Sequence, residues 1–502
     1  MLGLARNPIS LGRNPASRVP SEVGLPTLVV GAGEAGRALV RAIRGSDGFG
    51  LRPVGFLDDD PRLRRAAALP VLGRTTELAS VAHRVGARAA LIAMPSLSQG
   101  RIAELIEEAS CAGLLVRYLP SFLSAVERDL RLSDLRGLRI DHLLGRDEIH
   151  IPSDRACNLI RGRRVLVTGA GGSIGSELCR QIDRFAPAAL YLLDYDESNL
   201  HGMQLELTGN GLLDSDEIIV ANIRDRQRID QVFDQTRPEL VFHAAAHKHL
   251  PLLERHPCEG VKTNVLGTQH LVDAAVRYGV SRFVLISTDK AADPSSVLGA
   301  TKRLAELVVQ QAAGGPTCMA SVRFGNVLGS RGSLLSVLAK QIAADRSVTV
   351  THPDVTRFFM TVEEAVSLVL EAATMSEYAE TFVLDMGKPV SIVDLVYKYA
   401  EELHLPDIKI SFTGLRPGEK LTEKVFSDTE ARLRTAHPKV WATRGGELPA
   451  EFNLRLAALY DSAAVNDTSQ TRDLLRELLP EYRPTDYPRT PASVGAPYPD
   501  GF

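Results

Sequence analysis

The stretch Arg163 to Ile182 reads RRVLVTGAGGSIGSELCRQI, and its pattern decides the fold. The apolar run VLVT has strand character, a glycine-rich turn follows it, and the residues after the turn open a helix. Gly169, Gly172 and Gly175 follow that strand and open the helix, spaced G-x-x-G-x-x-G in that strand-turn-helix setting. The first N-H groups of such a helix and its positive dipole end hold a pyrophosphate, and side chains at the glycine positions would collide with it.

Working outward, the next strand, ALYLLD, ends at Asp194. A carboxylate there accepts hydrogen bonds from both adenosine ribose hydroxyls and repels a 2'-phosphate, which favours NAD over NADP. Alone, Asp194 would read as a solvated strand-end turn; the glycines and the order of elements favour the ribose. VANIRDRQRIDQVF places Asn222 and Ile223 after a third strand, where an adenine edge can be read. PELVFHAAAHKHLPLLE gives a fourth strand ending in Ala244, Ala245 and Ala246, small residues over which a dinucleotide can lie. His243, His247 and His249 raise a metal site, but alternate residues on a strand-to-loop segment rarely converge without carboxylate or cysteine helpers, so no metal is expected. Asn264, early in the following helix, reads as a cap.

A fifth strand, RFVLIST, leads into Ser287 to Ala305, STDKAADPSSVLGATKRLA. A nucleotide-sugar enzyme of the short-chain dehydrogenase type has Ser or Thr at this strand end, then Tyr and Lys spaced Y-x-x-x-K. Here Leu298 holds the Tyr position and Lys302 is in place, on the same helix face because residues four apart are neighbours. The strand end presents Thr288, Asp289 and Lys290. As an isolated dipeptide, Asp289-Lys290 would be an exposed ion pair of little consequence. At the carboxyl end of a parallel strand beside a dinucleotide site, it reads as an acid and a base.

A related strand-turn-helix pattern, this one matching G-x-G-x-x-G, occurs once before. TLVVGAGEAGRALVRAI carries Gly31, Gly33 and Gly36, and PVGFLDDD brings Asp58 to the offset of a ribose-binding carboxylate. Alternating helix and strand signals continue to about Leu144. Two readings stand level: glycines that let helix and strand approach closely, or a site for a regulatory nucleotide. The fold class is therefore α/β, two doubly wound Rossmann-like domains, the second with a smaller C-terminal substrate-binding lobe. The expected division is 1-25 flexible arm, 26-145 N-terminal Rossmann-like domain, 146-447 NAD-binding domain with substrate lobe, and 448-502 helical segment and flexible tail. RFFMTVEEAVSLVLEAA is expected as a strand-to-helix element of the smaller lobe.

Composition excludes several classes. With 58 Lys plus Arg against 61 Asp plus Glu in 502 residues, the net charge of -3 gives no general attraction to nucleic acid or anionic lipid. The five cysteines lack paired spacing, which argues against a disulfide framework or a zinc site. No uncharged apolar run reaches the roughly 18 residues that span a bilayer, and the start lacks a signal-peptide core, so the chain reads as cytoplasmic.

TGAGGSIGSE, HAAAHKHLPLLE, STDKAADPSSVLGATKR, RFGNVLGSRGS and LRPGEKLTE, in this order, resemble the polysaccharide-biosynthesis CapD family of UDP-N-acetylglucosamine 4,6-dehydratases, extended short-chain dehydrogenase-type enzymes. The resemblance covers about residues 150 to 440. Long members of that family carry transmembrane helices ahead of the first Rossmann domain, so a soluble version or a shortened one is expected here. They also tend to lack the tyrosine, which makes Leu298 a conservative departure.

The resemblance implies NAD held by Gly169, Gly172, Ser173, Ile174, Gly175, Asp194, Asn222, Ile223, Ala244, Ala245 and Lys302. It implies that Asp289 protonates the departing 6-hydroxyl, Lys290 takes the C5 proton, Thr288 hydrogen-bonds the 4-hydroxyl and Lys302 binds the nicotinamide ribose. These roles call for Asp289 partly protonated and Lys290 partly neutral. Substrate contacts are implied for Lys248, for Asn326 and Arg331 at the diphosphate, and for Arg416 and Glu419 at phosphate and uridine ribose. With Leu298 in place of Tyr, water, Thr288 or Asp289 takes the 4-hydroxyl proton. The alternatives are a UDP-sugar 4-epimerase and a non-catalytic nucleotide-sugar sensor. A homo-oligomer is expected, since this fold class pairs helices between subunits.

Overall fold

The computed structural model describes residues 25-45, 51-94, 154-208, 212-213, 215-328, 347-402, 408-446 and 448-485, with parts of 105-118 and 334-341. The N-terminal arm through residue 24, the 146-153 connector, Arg331 and the tail after 485 lie outside the described residues.

Strands β1 (Leu25–Val30), β2 (Leu51–Leu57), β3 (Arg65–Ala66), β4 (Leu69–Gly73), β5 (Ala89–Ile92) and β6 (Leu115–Tyr118) form a sheet in the order β3-β4-β2-β1-β5-β6. Leu28 and Val30 enter the apolar cluster on one face and Val29 the cluster on the other. Both faces are covered, so an unbroken apolar run rather than an alternating one codes for the strand.

The second unit repeats this plan on a larger scale. Its strands are β7 (Arg164–Thr168), β8 (Ala189–Asp194), β9 (Ile218–Val220), β10 (Leu240–His243), β11 (Arg282–Ile286) and β12 (Cys318–Arg323). β13 (Asn326–Leu328), β14 (Ser347–Val350), β15 (Thr356–Arg357), β16 (Phe359–Thr361), β17 (Thr381–Leu384), β18 (Val390–Ser391), β19 (Lys409–Phe412), β20 (Leu433–Arg434) and β21 (Val440–Thr443) follow. The main sheet runs β9-β8-β7-β10-β11-β12-β17-β21-β20, parallel as far as β17 and antiparallel beyond it. Strand order reverses between β7 and β10, where Thr168 pairs with His243, and a ligand crevice opens at the carboxyl ends of strands at such a switch. The pairs β13-β16, β14-β19 and β15-β18 belong to a lobe with its own core, built on Val348, Val350, Phe359, Leu395 and Tyr399. No described helix is long and apolar enough to cross a membrane.

One element sits elsewhere than the sequence suggests. The Val362–Met375 helix, expected in the smaller lobe, lies in the core of the main sheet with the Ser173–Asp183 helix. It buries Ala365, Val366, Val369 and Ala372 together with Glu364, Ser367 and Glu371, and a helix buried on nearly all sides must sit inside a large layer. The Phe452–Ala464 and Thr468–Leu478 helices bury Leu456, Leu459 and Leu475 in the other main-sheet core, beside Leu253 and Val297.

At the end of β12, Arg323 is wholly buried and ion-paired to two carboxylates. It donates to Glu306 through Nε at 2.7 Å and Nη2 at 2.6 Å, and to Glu430 through Nη1 at 2.8 Å and Nη2 at 2.9 Å. Arg323→Ala leaves Glu306 buried without its main partner and is expected to lower stability by about 3-5 kcal/mol. Urea unfolding of the variant reads this directly, and a loss below about 1 kcal/mol would refute the network's structural weight.

Candidate active site

The glycine loop after β7 is closed too tightly for side chains. A Cβ on Gly175 would lie 2.0 Å from the Gly169 carbonyl oxygen, and one on Gly169, at φ +69°, would lie 2.6 Å from the Ala245 nitrogen. The loop thus touches Ala244 and Ala245 across the strand-order switch, and Gly172 caps the Ser173–Asp183 helix. Ile174 packs against the main-sheet core behind the loop. Asp194 is buried; its Oδ2 accepts the Gly171 N-H at 2.9 Å and its Oδ1 the Asp196 N-H at 3.1 Å. A carboxylate keeps further lone pairs after two such bonds, so ribose hydroxyls still find acceptors. The first domain repeats the latch, with Asp58 Oδ2 accepting the Ala32 N-H at 2.6 Å and Gly36 pressed on the Gly31 carbonyl.

Past β9, Asn222 is exposed and its Oδ1 accepts the Arg224 N-H at 3.0 Å. The side chain of Ile223 does not face the crevice: it is core, pressed against Gly267, whose Cβ would lie 2.6 Å from Ile223 Cδ1. Only its backbone remains for an adenine. Asn264 is not a helix cap. It lies in the π-helical turn Val261–Leu266, where Oδ1 accepts the His247 N-H at 2.8 Å and Nδ2 donates to the His247 carbonyl and the Thr301 hydroxyl, both at 3.1 Å. A buried amide with donor and acceptor fastens the β10 loop to the Val297–Gln311 helix, a task that helix-start spacing does not reveal.

His243 is a core residue. Thr268 donates to the Asn264 carbonyl and so accepts from His243 Nε2 at 2.9 Å, which leaves Nδ1 to accept from Thr168 at 2.7 Å. Burial, helped by the nearby Lys302 charge, pushes its pKa down to about 3, so the ring is neutral. Lys248 lies exposed on the same loop.

β11 delivers the next cluster. Ser287 donates to Glu306 at 2.6 Å and so belongs to the Arg323 network. Thr288 donates to Asp289 Oδ1 at 2.9 Å, and Lys290 Nζ donates to the same oxygen at 3.0 Å and approaches Asn326 Oδ1 at 3.4 Å. Asp289 has a side chain 0% exposed and Lys290 one 17% exposed, far from a solvated turn. Asp289 Oδ2 is buried with no hydrogen-bond partner among the described residues, and Gly325 leaves it room, since a Cβ there would come within 2.9 Å. An acceptor so placed is costly unless protonated or met by a donor, and a substrate hydroxyl is such a donor.

Lys290 is not partly neutral. Burial acts to lower its pKa, but the Asp289 and Glu423 carboxylates outweigh both burial and the Arg357 charge, and the net shift is upward. Lys302 behaves oppositely: its buried Nζ donates to the Ile286 carbonyl at 2.5 Å, and burial lowers its pKa to about 8 despite Glu306. Leu298 is 6% exposed and part of the adjoining apolar core.

LRPGEKLTE folds against this cluster. Arg357, which sequence reasoning passed over, donates to Glu419 Oε1 at 2.9 Å and to the carbonyls of Lys420 and Leu421. Glu419 also accepts from Thr351 at 3.0 Å and from the Arg416 N-H at 3.1 Å, while the Arg416 side chain is exposed. Lys420 ion-pairs with Asp293 at 3.3 Å, and Ser295 donates to the Gly418 carbonyl at 2.9 Å. Glu423 is buried, and its pKa is raised by burial. The two motifs, more than a hundred residues apart in the chain, thus share one site.

Comparison with known proteins places this geometry. Residues 165–444 match the family described as polysaccharide biosynthesis protein, and residues 16–120 match a CoA-binding domain family. The capsular polysaccharide biosynthesis protein CapD of Staphylococcus aureus is 39% identical over 83% of this chain and 71% of its own length. A UDP-glucose 4-epimerase of Rickettsia felis is 31% identical over 53% of this chain and 79% of its own length. The crystal structure of Pen from Bacillus thuringiensis is 32% identical, covers 56% of this chain and 89% of its own, and superposes with a TM-score of 0.52. The glycine-rich β7 loop, the β11 cluster and the LRPGEKLTE segment all lie inside the matched span, and the chain belongs to the polysaccharide biosynthesis protein family.

Proposed function

We propose that this chain catalyses NAD-dependent 4,6-dehydration of UDP-N-acetylglucosamine to a UDP-4-keto-6-deoxy-N-acetylhexosamine, for surface polysaccharide or glycan synthesis. One observation carries the reading: a buried carboxylate-ammonium pair, Asp289 and Lys290, at the carboxyl end of β11, with one carboxylate oxygen unmet. Gly169, Gly172, Ser173, Ile174 and Gly175 would hold the pyrophosphate of NAD, Asp194 the adenosine ribose, Asn222 and the Ile223 backbone the adenine. Ala244 and Ala245 would underlie it and Lys302 would hold the nicotinamide ribose. Bound there, the dinucleotide supplies a hydride acceptor for C4 of the sugar and a hydride donor for C6.

The chain's own groups handle the protons. Thr288 orients the 4-hydroxyl. Asp289 meets the 6-hydroxyl at its unmet oxygen and its carboxyl group protonates it as it leaves as water, while Lys290 removes the C5 proton. In the pair Lys290 rests as the ammonium. Transfer of one proton from Lys290 Nζ to the Asp289 carboxyl group, in contact at 3.0 Å, gives the carboxylic acid and free amine that the elimination needs. Asn326, beside Lys290, Lys248 and Arg331 would face the diphosphate; Arg416 would meet phosphate and Glu419 the uridine ribose.

The Rickettsia felis relative favours a second reading, 4-epimerisation of a UDP-sugar. Epimerisation needs no acid at C6, and it leaves the unmet Asp289 oxygen without a task.

Incubation with NAD and UDP-N-acetylglucosamine is expected to give a product lighter by one water in mass spectrometry. A product of unchanged mass, resolved as UDP-N-acetylgalactosamine, would overturn dehydration in favour of epimerisation. Lys290→Ala is expected to cut turnover by about 10²-10⁴-fold with UDP-sugar affinity retained, and full turnover in that variant refutes the assigned base. Because Lys302 acts as a cation and its pKa is lowered to about 8, kcat/KM should decline as pH rises through about 8. A flat profile to pH 10, near the ordinary lysine pKa of about 10.4, counts against that role.

A further inference from the structure

Residues 468-485 lie beyond the span 165–444 that carries the family match, and they fold back onto the candidate site. The Thr468–Leu478 helix and the segment after it put Leu475, Leu478, Leu479 and Tyr482 into the core that also holds Leu253 and Val297. That burial delivers a guanidinium and a short run of backbone to the place where two motifs meet.

The guanidinium is that of Arg472. Its Nη1 pairs with Glu254 Oε2 at 3.3 Å, and its Nη2 donates to the Glu254 carbonyl. With side chains 28% and 13% exposed, the pair is shielded from most of the water that weakens surface ion pairs. The other carboxylate oxygen, Glu254 Oε1, accepts the Val297 N-H at 2.6 Å. Val297 is the first residue of the helix that carries Lys302, and in the same turn Ser296 Oγ accepts the Gly299 N-H at 3.1 Å. N-H groups that a helix start leaves open are thereby met, and a negative carboxylate lies at the positive end of the helix. Glu254 also bounds Gly418 of LRPGEKLTE: a Cβ there would lie 3.1 Å from Glu254 Oε1 and 2.6 Å from Ser296 Cβ.

The run of backbone is 483-485. The Arg483 N-H donates to the Pro294 carbonyl at 3.0 Å and the Thr485 N-H to the Ser295 carbonyl at 3.4 Å. The Thr485 carbonyl accepts the Gly418 N-H at 2.9 Å, and the Gly418 carbonyl accepts from Ser295 Oγ at 2.9 Å. Both polar backbone groups of Gly418 are thus committed. Glu481 adds an ion pair at 3.4 Å to Arg303, the neighbour of Lys302. The turn before the lysine helix and the LRPGEKLTE loop are joined through this third segment as well as directly.

We propose that Arg472 and the 483-485 run are positioning elements for the UDP moiety: they hold LRPGEKLTE against the start of the lysine helix, Arg472 acting through Glu254. The inference rests on the reading that Arg416 meets phosphate and Glu419 the uridine ribose. These two residues flank Gly418, and a loop fixed at that glycine presents them without the ordering cost that a free loop carries on binding. Coupling of this kind is reciprocal, so UDP in turn tightens the 483-485 run.

Calorimetric titration of the full chain with UDP tests the proposal. Arg472→Ala should weaken UDP binding about fivefold or more and NAD binding by less, and Arg472→Lys, which keeps the charge, should recover part of the loss. Amide hydrogen exchange supplies a test without a substitution: in wild-type protein UDP should slow exchange at Arg483 and Thr485 by about tenfold, although neither residue is assigned a ligand contact. Unchanged UDP affinity in Arg472→Ala, an equal loss for UDP and NAD, or exchange at Arg483 and Thr485 that UDP leaves unaltered overturns the positioning role and leaves the proposed activity standing. Wild-type protein that binds no UDP overturns the assignment of Arg416 and Glu419 together with this inference.

Discussion

The buried guanidinium of Arg323 is the constraint on which the site depends. Removing one charge and two carboxylates from water costs several kcal/mol per ion, and only near-complete hydrogen bonding repays it. Arg323 meets that condition because its planar fork reaches Glu306 through Nε and Nη2 and Glu430 through both terminal nitrogens. Burial alone would push the Glu306 carboxyl up; Arg323 and Arg303 reverse this and hold it below the ordinary range. Glu306 stands one helical turn after Lys302 and accepts from Ser287 at the end of β11. Strand end, lysine helix and the Glu430 loop are thereby fixed in one register, and Lys302 reaches the Ile286 carbonyl from a helix that cannot rotate freely.

On that frame, two lysines in one site are driven in opposite directions. Lys302 has a single carboxylate acting on it, so burial prevails and its pKa falls. Lys290 has Asp289 and Glu423, and these prevail over burial. The outcome turns on how many opposite charges lie in the low-dielectric region, not on the lysine itself. A firmly held cation suits the resting state of the acid-base pair proposed for this site.

Much of this was legible in residue spacing. Gly169, Gly172 and Gly175 announce the loop, Asp194 the strand end, and Thr288, Asp289, Lys290 and Lys302 the cluster, because each lies within a local strand-turn-helix unit whose geometry follows from a few neighbours. Asn264 was misjudged for the complementary reason: early helix position suggests a cap, but its amide is taken by His247 and Thr301, residues brought near only by the fold. Arg323, Arg357, Lys420 and Glu423 gave no local signal. Each lies in or beside a motif that could be quoted, yet its partner is far along the chain, as with Arg323 and Glu430, 107 residues apart.

The sequence by itself therefore determined the α/β class, the repeated Rossmann plan and the placement of Asp289 and Lys290 at a strand end with Lys302 on the following helix, since hydrophobic periodicity and glycine spacing are local properties. Only the tertiary structure decided that Lys290 rests as a cation, that the Ile223 side chain is core, that the Val362–Met375 helix serves the main sheet, and that Glu423 is buried. Those outcomes depend on burial and on charge pairing between distant segments, and neither exists until the chain has folded.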